Sequence, residues 1–165
     1  GKECWASYSV KRLTFEDKPQ LLVVMRDVTA DMLDTYKGEM DEVVYRRCRY
    51  VVDENQRLLD ACAALEKGDY VTFGQKMNGS HEGLSRQYEV SCDELDFLAD
   101  IGHRTDGVLG ARMMGGGFGG CTINLVRAEA YDGYLAEATD RFAHRFGHAP
   151  RVIEVNISQG ARRIG

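Results

Sequence analysis

The sequence predicts an α+β fold in which helices pack on one face of an antiparallel sheet. Apolar residues between positions 41 and 104 recur at steps of three and four, which is the helical period. After this helical region, Val108–Met114 and Cys121–Val126 are short apolar segments typical of strands. The glycine-rich loop between them makes these two segments antiparallel neighbours. A helix and a final strand complete the order.

The N-terminal part of the chain has the weakest pattern. Residues 1–27 are predicted to be a poorly defined N-terminal segment or the remnant of an upstream domain, whereas 28–165 form one domain. Within the first segment, the loose alternation from Trp5 to Phe15 indicates a strand. Pro19 and its neighbours indicate a loop.

Three helices are predicted in the first half of the domain. Thr29 caps a short helix that ends at Gly38. A long helix over 41–67 ends at Gly68 in the C′ position, and Asp69 caps the next helix. Three glycines lie on one side of that next helix: Gly74, Gly79 and Gly83. Their spacing favours close packing of another backbone, although each weakens the helix by up to about 1 kcal/mol relative to Ala.

Residues typical of helix starts and helix ends indicate the remaining helices. Ser91 and Glu94 have the spacing of a capping box, which predicts a further helix beginning at this point. A helix over 128–146 is closed by Gly147. The β-branched segment 152–157 then indicates a strand.

Composition and charge exclude several classes of function. The net charge of −5 argues against a nucleic-acid partner, which favours a basic surface. No apolar run approaches the roughly 18 residues that a membrane-spanning helix needs, so no membrane partner is expected. The five cysteines are odd in number and lack ligand spacing, which predicts neither a disulfide framework nor a zinc site. A reducing cytoplasm is the consistent compartment.

No catalytic or metal-binding role is assigned to the basic cluster, the acidic cluster or His81. The basic cluster of Arg46, Arg47 and Arg49 is predicted to be a solvated surface. The acidic group comprises Glu89, Asp93, Glu94 and Asp96. It is attributed to the helix dipole rather than to a metal. His81 lies within a predicted helix, where a packed or surface histidine is the simpler interpretation.

The most informative segment is a loop with five glycines in six positions. It comprises Gly115, Gly116, Gly117, Phe118, Gly119 and Gly120. Because glycine loses more conformational freedom on folding than other residues, the cluster indicates positive φ values or close approach by another group. Such a loop can turn bare N–H groups toward an anion. The alternative is a tight hairpin with no ligand, although Phe118 at its tip argues for something that packs on it.

The loop does not match two common nucleotide-binding motifs. No Lys-Ser or Lys-Thr pair follows its last glycine, as a Walker A motif requires. A dinucleotide fingerprint opens a helix, whereas the segment after this loop continues as a strand. The residues alone therefore leave both an anion-binding loop and a simple turn open.

The segment 110–121 resembles the third conserved motif of the GHMP small-molecule kinases. Its ending, Gly-Phe-Gly-Gly-Cys, is specifically similar to the galactokinase branch. Further segments resemble galactokinase landmarks in the right order: 26–28, 45–54, 68–70, 80–81 and 88–96. The resemblance implies a ferredoxin-like C-terminal domain of a GHMP kinase.

The resemblance also implies which parts of the active site are absent from these residues. Galactokinases carry a first motif that binds the sugar and supplies a catalytic arginine, and a second that grips the ATP phosphates and Mg²⁺. Neither motif has a counterpart in this sequence, and the catalytic aspartate of the family also lies upstream. No catalytic residue and no metal ligand is therefore assigned to this chain, and the segment alone is expected to be inactive.

By resemblance, the intact protein would transfer the γ-phosphoryl group of ATP to O1 of galactose, the first step of galactose catabolism, with Mg²⁺ bound. The loop 115–120 would line or brace the phosphate side of the site, with Phe118 fixing it against the protein. Besides galactose and ATP, the missing N-terminal domain would be the main partner. The apolar surface left where that domain docks would favour self-association.

Two other hypotheses remain open from the sequence. One is a non-catalytic ferredoxin-like ligand-binding or interaction module descended from such a kinase. The other is a helical interaction module in which the glycine loop is only a turn. A native chain that continues upstream with a Gly-x-Gly-Leu-Ser-Ser-Ser segment would separate the kinase from both.

Overall fold

The computed structural model describes residues 6–15 and 18–155. Within these ranges the chain forms five α-helices and two antiparallel sheets of two strands each. The helices are α1 (Ala30–Thr35), α2 (Glu42–Glu66), α3 (Tyr70–Arg86), α4 (Asp93–Arg104) and α5 (Tyr131–Phe146). The strands are β1 (Ala6–Phe15), β2 (Lys18–Asp27), β3 (Val108–Met114) and β4 (Cys121–Val126). None of the described helices is long and apolar enough to span a membrane.

The first sheet is a hairpin of β1 and β2. It confirms the strand predicted before Phe15, while Trp5 lies outside the described residues. The loop predicted at Pro19 is wrong, because Pro19 lies in β2 opposite Thr14. Both strands of a two-stranded sheet are edge strands, where a proline is tolerated because one side of the strand needs no ladder hydrogen bonds. The assignment of 1–27 to an ill-defined or upstream segment stays a prediction.

Side-chain caps begin the first three helices, as predicted for Thr29 and Asp69. Thr29 Oγ1 accepts a hydrogen bond from the Met32 amide at 3.3 Å. Asp41 and Asp69 accept equivalent bonds at the starts of α2 and α3, at 2.9 Å and 3.0 Å. Gly68 ends α2 with a φ of +69°, as expected for a C′ glycine.

The capping box predicted at the start of α4 is not formed. Cys92, not Ser91, is the N-cap, with extended φ and ψ of −143° and 169° and no side-chain hydrogen bond to the helix. The Ser91 hydroxyl is buried without a partner among the described residues. Capping depends on the backbone angles of one residue, and the chain enters the helix one residue later than the spacing predicts. Acidic side chains in the first turn, including Glu94, interact favourably with the helix N-terminus.

Glycine allows α3 to lie directly on β3. Gly74 faces the main chain of Leu109 and Gly110, and a Cβ at Gly74 would overlap the Leu109 carbonyl. Gly83 instead faces the ring of Tyr50 on α2, with a Cβ position 2.6 Å from its Cδ2 atom. The predicted close approach of another backbone is confirmed at Gly74, whereas Gly83 accommodates a side chain.

The second sheet lies against the helices. β3 and β4 pair along their length, with Met114 opposite Cys121. Helices α3 and α4 contact β3, and α4 also contacts α5. A buried cluster between α4 and α5 contains Ile101, Tyr134 and Ala138. The predicted α+β class, with helices packed on an antiparallel sheet, is confirmed.

The chain after the second sheet follows the prediction only in part. Residues 128–130 form a 3₁₀ turn before α5, and Gly147 ends α5 with a φ of +79°. The strand predicted over 152–157 is wrong for its described part, since 151–155 have no regular secondary structure and Val155 is 74% exposed. A strand forms where a neighbour supplies ladder hydrogen bonds, and no described strand pairs with this segment.

Candidate functional site

The glycine loop between β3 and β4 has backbone angles that L side chains rarely adopt. Positive φ values occur at Gly115 (91°), Gly117 (90°), Phe118 (59°), Gly119 (134°) and Gly120 (106°). Gly116 is the one loop residue outside this set. Only glycine takes such angles without a steric penalty, so the cluster is required by the path of the chain. The positive φ values predicted from the composition are confirmed.

One main-chain hydrogen bond holds the loop to a neighbouring turn. The amide of Phe118 donates to the carbonyl of Val90 at 2.6 Å. Gly117 lies so close to Val90 that a Cβ would overlap the same carbonyl. The Phe118 side chain is 77% exposed among the described residues, and its predicted packing against protein in the intact enzyme stays a prediction. The main chain of Phe118 makes the contact with Val90.

Several glycines of the loop have open space beside them. A Cβ placed at Gly115, Gly116 or Gly119 would meet no atom within 4 Å. Apart from Phe118, no loop amide donates a hydrogen bond to another residue that the structure describes. Successive N–H groups in an open loop of this kind favour the oxygens of an anion. The geometry therefore suits contact with a phosphate group.

The turn of residues 87–90 carries the carbonyl that holds the loop. Within it, Glu89 is not a glycine but has a φ of +62°. Its Oε2 atom lies 2.7 Å from Nη2 of Arg46 and 3.0 Å from Nη2 of Arg47, both on α2. Arg46 also donates from Nε to the carbonyl of Gln87 at 3.2 Å. The hydrogen bond from Arg47 and the charge of Arg46 hold the pKa of Glu89 below its ordinary value.

These ion pairs correct one interpretation of the sequence. Glu89 was expected to interact with a helix N-terminus, yet its carboxylate binds Arg46 and Arg47. The two arginines, which were expected to be solvated, remain 37% and 47% exposed. Sequence reasoning missed this cluster because its members lie 42 positions apart. One feature of the sequence could have indicated the cluster: the segments 45–54 and 88–96, which contain its members, both resemble landmarks of one family.

The outer edge of β3 is bonded to helix side chains rather than to a strand. Asn78 Oδ1 accepts a hydrogen bond from the Ala111 amide at 2.8 Å, and His81 Nδ1 accepts one from the Met113 amide at 3.2 Å. His103 Nε2 lies 2.8 Å from the Ala111 carbonyl. His81 is 5% exposed, so of the two alternatives left by the sequence, a packed or a surface histidine, the structure shows the packed one.

The burial of His81 predicts a pH-dependent stability. Burial lowers the pKa of His81; nearby His103 and Arg112 lower it further, while the carboxylate of Asp96, 3.2 Å from Nε2, opposes the shift. The neutral form is also the one whose Nδ1 accepts from Met113. An unfolded histidine takes up its proton near pH 6.5, before the folded one does, so stability is complete above about pH 6.5 and falls as the pH drops below it.

This pH effect is measurable against a variant without the titrating group. The free energy of unfolding of the wild type is expected to fall between pH 7.5 and pH 5.5 more steeply than that of His81→Asn, whose Oδ1 can still accept from the Met113 amide. Urea denaturation at both pH values gives the comparison. Equal slopes in the two proteins would show that His81 does not control the effect.

The described residues provide no group of three or more His, Cys, Asp or Glu side chains that could hold a metal ion. The acidic residues near the start of α4 are separately engaged. Asp96 accepts a hydrogen bond from Ser85 at 2.8 Å and lies beside His81, whereas Glu89 pairs with the arginines of α2. Among the described residues, the backbone N–H groups of the loop 115–120 are the feature that suits an anion.

Comparison with known proteins places this geometry in a family. Residues 61–141 match the family model described as GHMP kinases C terminal. This part of the chain is a GHMP kinase C-terminal domain. The matched region contains α3, α4, both strands of the second sheet and the whole glycine loop, so the resemblance inferred from the motifs is confirmed.

Within the GHMP kinases, the similar proteins include galactokinases. The chain is 41% identical over 125 residues to the galactokinase of Clostridium beijerinckii, covering 76% of this chain and 32% of that protein. It is 42% identical over 127 residues to the galactokinase of Bos taurus, again covering 76% of this chain and 32% of the relative. The crystal structure of Lactococcus lactis galactokinase complexed with galactose superposes with a TM-score of 0.70 and 35% identity, over 74% of this chain and 32% of that one.

The chain is much shorter than the galactokinases that it matches. It spans about a third of the length of the curated relatives that it matches, since it covers 32% of the first and 36% of another, from Roseiflexus. The matching family model is that of the C-terminal part, so the chain corresponds to the C-terminal portion of a galactokinase.

Proposed function

We propose that the natural protein containing this chain is an ATP-dependent transferase that phosphorylates galactose at O1. The observation that carries this proposal is the identity of 41–42% to galactokinases over three quarters of the chain. The Lactococcus lactis relative was solved with galactose bound, which supports galactose as the sugar. The other two thirds of such an enzyme supply the sugar contacts and the catalytic groups.

In this enzyme, the loop 115–120 contributes main-chain N–H groups on the phosphate side of the site. Phosphoryl transfer depends mainly on positioning and on stabilising the charge of the transferred group. Donors already fixed in place need no reorganisation during the reaction, which makes them effective. The open faces of Gly115, Gly116 and Gly119 support this role, because a phosphate group could approach them without meeting a side chain.

ATP and Mg²⁺ are the cofactor and metal of the proposed enzyme, but they fit this chain differently. The open loop amides fit the phosphates of ATP. The described residues contain no group of three or more His, Cys, Asp or Glu side chains that could hold a metal ion, so Mg²⁺ is placed with the rest of the enzyme. No step is assigned to the metal here, and no residue of this chain is assigned as base or metal ligand.

The proposal includes a partner surface for the rest of the protein. Apolar residues on the exposed side of α2 recur every seven positions: Val44, Val51, Leu58 and Leu65, which are 40–63% exposed. Such a stripe supports docking of the N-terminal domain and, in its absence, self-association. A cytoplasmic location and a reducing compartment remain predictions from the cysteine pattern.

The test is an assay of the natural full-length protein with radiolabelled ATP, Mg²⁺ and galactose. We expect galactose 1-phosphate, and no product from the 165-residue chain alone, because the sugar and metal contacts lie outside it. Binding of galactose or ATP without turnover by the full-length protein would contradict the proposal and favour the non-catalytic module. Product formed by the isolated chain would contradict the division of roles.

A further inference from the structure

We propose that Arg46, Arg47 and Glu89 are positioning residues for the glycine loop. They hold the turn of residues 87–90, and the carbonyl of Val90 in that turn is the point at which the loop is fixed. This inference rests on the proposed function, because it assigns the three side chains a role in placing the loop for phosphoryl transfer. The arginines of α2 contact Glu89 in the turn, and Val90 of the same turn contacts Phe118 in the loop.

The turn is bonded on both sides of Glu89. Before it, Arg46 Nε donates to the carbonyl of Gln87 at 3.2 Å, and the amide of Gln87 donates to Gly83 at 2.9 Å. After it, the amide of Val90 donates to the carbonyl of Leu84 at 3.0 Å. The carbonyl of Val90 is thereby pointed at the loop, where it accepts from Phe118. A change in the path of the turn would move this acceptor directly.

Glu89 has the least favourable backbone conformation in the turn of residues 87–90. A side chain at a φ of +62° lies in the left-handed region, which only glycine adopts freely, so other contacts must stabilise it. Two arginines meet its Oε2 atom, at 2.7 Å and 3.0 Å. Glycine at this position would satisfy the backbone but lose the arginines. The carboxylate stands at this strained position, and its ion pairs with the two arginines are the described contacts that offset the strain.

Global stability does not explain these pairs well. The side chains of Arg46, Arg47 and Glu89 are 37%, 47% and 45% exposed, and ion pairs at such exposure contribute little to the free energy of unfolding. Their effect is local, since they act on one turn with one contact to the loop. We therefore expect their loss to change the position of the loop and the turnover rate, with little effect on melting temperature.

The experiment uses Glu89→Gln in the natural full-length protein, with two readouts. Hydrogen exchange in peptides covering 115–120 is expected to accelerate, because the Phe118 amide loses its fixed acceptor. The kcat for galactose phosphorylation is expected to fall about tenfold with the KM for galactose unchanged, since misplacing a positioned group reduces rate rather than sugar binding. The double variant Arg46→Ala with Arg47→Ala should behave in the same way, and lysine at both positions should restore most of the kcat.

Glu137→Gln is the matched control. Glu137 pairs with Arg141 on α5 at 2.8 Å, and the two side chains are 43% and 42% exposed, much as in the Glu89 pairs. We expect it to leave loop exchange and kcat unchanged.

The outcomes separate this inference from the proposed function. If the wild type forms no galactose 1-phosphate, the proposed function has failed, whatever the exchange data show. If the wild type is active but Glu89→Gln leaves either loop exchange or kcat unchanged, the positioning role is wrong and the kinase proposal stands. A fall in kcat together with faster exchange in 115–120, at an unchanged melting temperature, supports it.

Discussion

Replacing Gly116 by valine in the natural full-length protein is expected to lower the kcat for galactose phosphorylation about 100-fold, the size of effect that follows loss of a fixed charge-stabilising donor. Gly116 is suited to this test because its φ is not positive and no atom lies within 4 Å of a Cβ built there. The chain accommodates the new side chain without rearrangement. Under the proposed function, the added methyl groups instead occupy open space beside the loop that a phosphate would enter.

Gly38→Val is the matched control, because Gly38 also has open space around it and no positive φ. It should keep both kcat and melting temperature, and Gly116→Val should keep the melting temperature alone. Steady-state kinetics and thermal melting of the two variants make the comparison. An unchanged kcat in Gly116→Val would remove the loop from the mechanism.

Replacing Gly74 by valine is expected to lower the free energy of unfolding by about 3 kcal/mol, at the upper end of the range for overpacked sites. A Cβ at Gly74 would overlap the carbonyl of Leu109, and across the contact a Cβ at Gly110 would lie 2.7 Å from the Cα atom of Gly74. Two backbones meet there, so no side chain can rotate away to make room. α3 and β3 would have to separate, which would disturb the sheet that carries the glycine loop.

Gly133→Ala on α5 is expected to stabilise the protein, whereas Gly74→Val destabilises it. No atom lies within 4 Å of its Cβ position, so the change should raise the free energy of unfolding by about 1 kcal/mol through helix propensity alone. Urea denaturation of Gly74→Val, Gly74→Ala and Gly133→Ala gives the three values. If Gly74→Ala stabilised the protein as much as Gly133→Ala, the close contact between α3 and β3 would be disproved.

Elements encoded by local patterns were predictable from the sequence. β3 and β4 were predicted with the bounds that the structure shows, because each is a short apolar run closed by glycine or charge. The caps at Thr29 and Asp69 were also predictable, since each acts within three residues of itself. Ser91 shows the limit of such reasoning, because the choice between two adjacent polar residues depends on the packing of the preceding turn.

Elements that depend on distant partners were not predictable. The segment 152–157 has strand composition but needs a neighbouring strand. In the site, composition indicated the loop and its positive φ values, which are local properties. The acceptor at Val90 and the ion pairs of Glu89 with Arg46 were not indicated, because they arise only when α2, the turn and the loop meet in the folded chain.

The bonded edge of β3 has a consequence for the growth of the sheet. Asn78 and His81 occupy the outward amides of Ala111 and Met113, and these are the groups that an incoming strand would need. Exposed sheet edges are otherwise open to pairing with any extended segment, including one from another molecule. Of the two described strands, only β4 therefore has an edge at which this sheet can be extended. A further strand, whether from upstream sequence or from the C-terminal segment, would be added there.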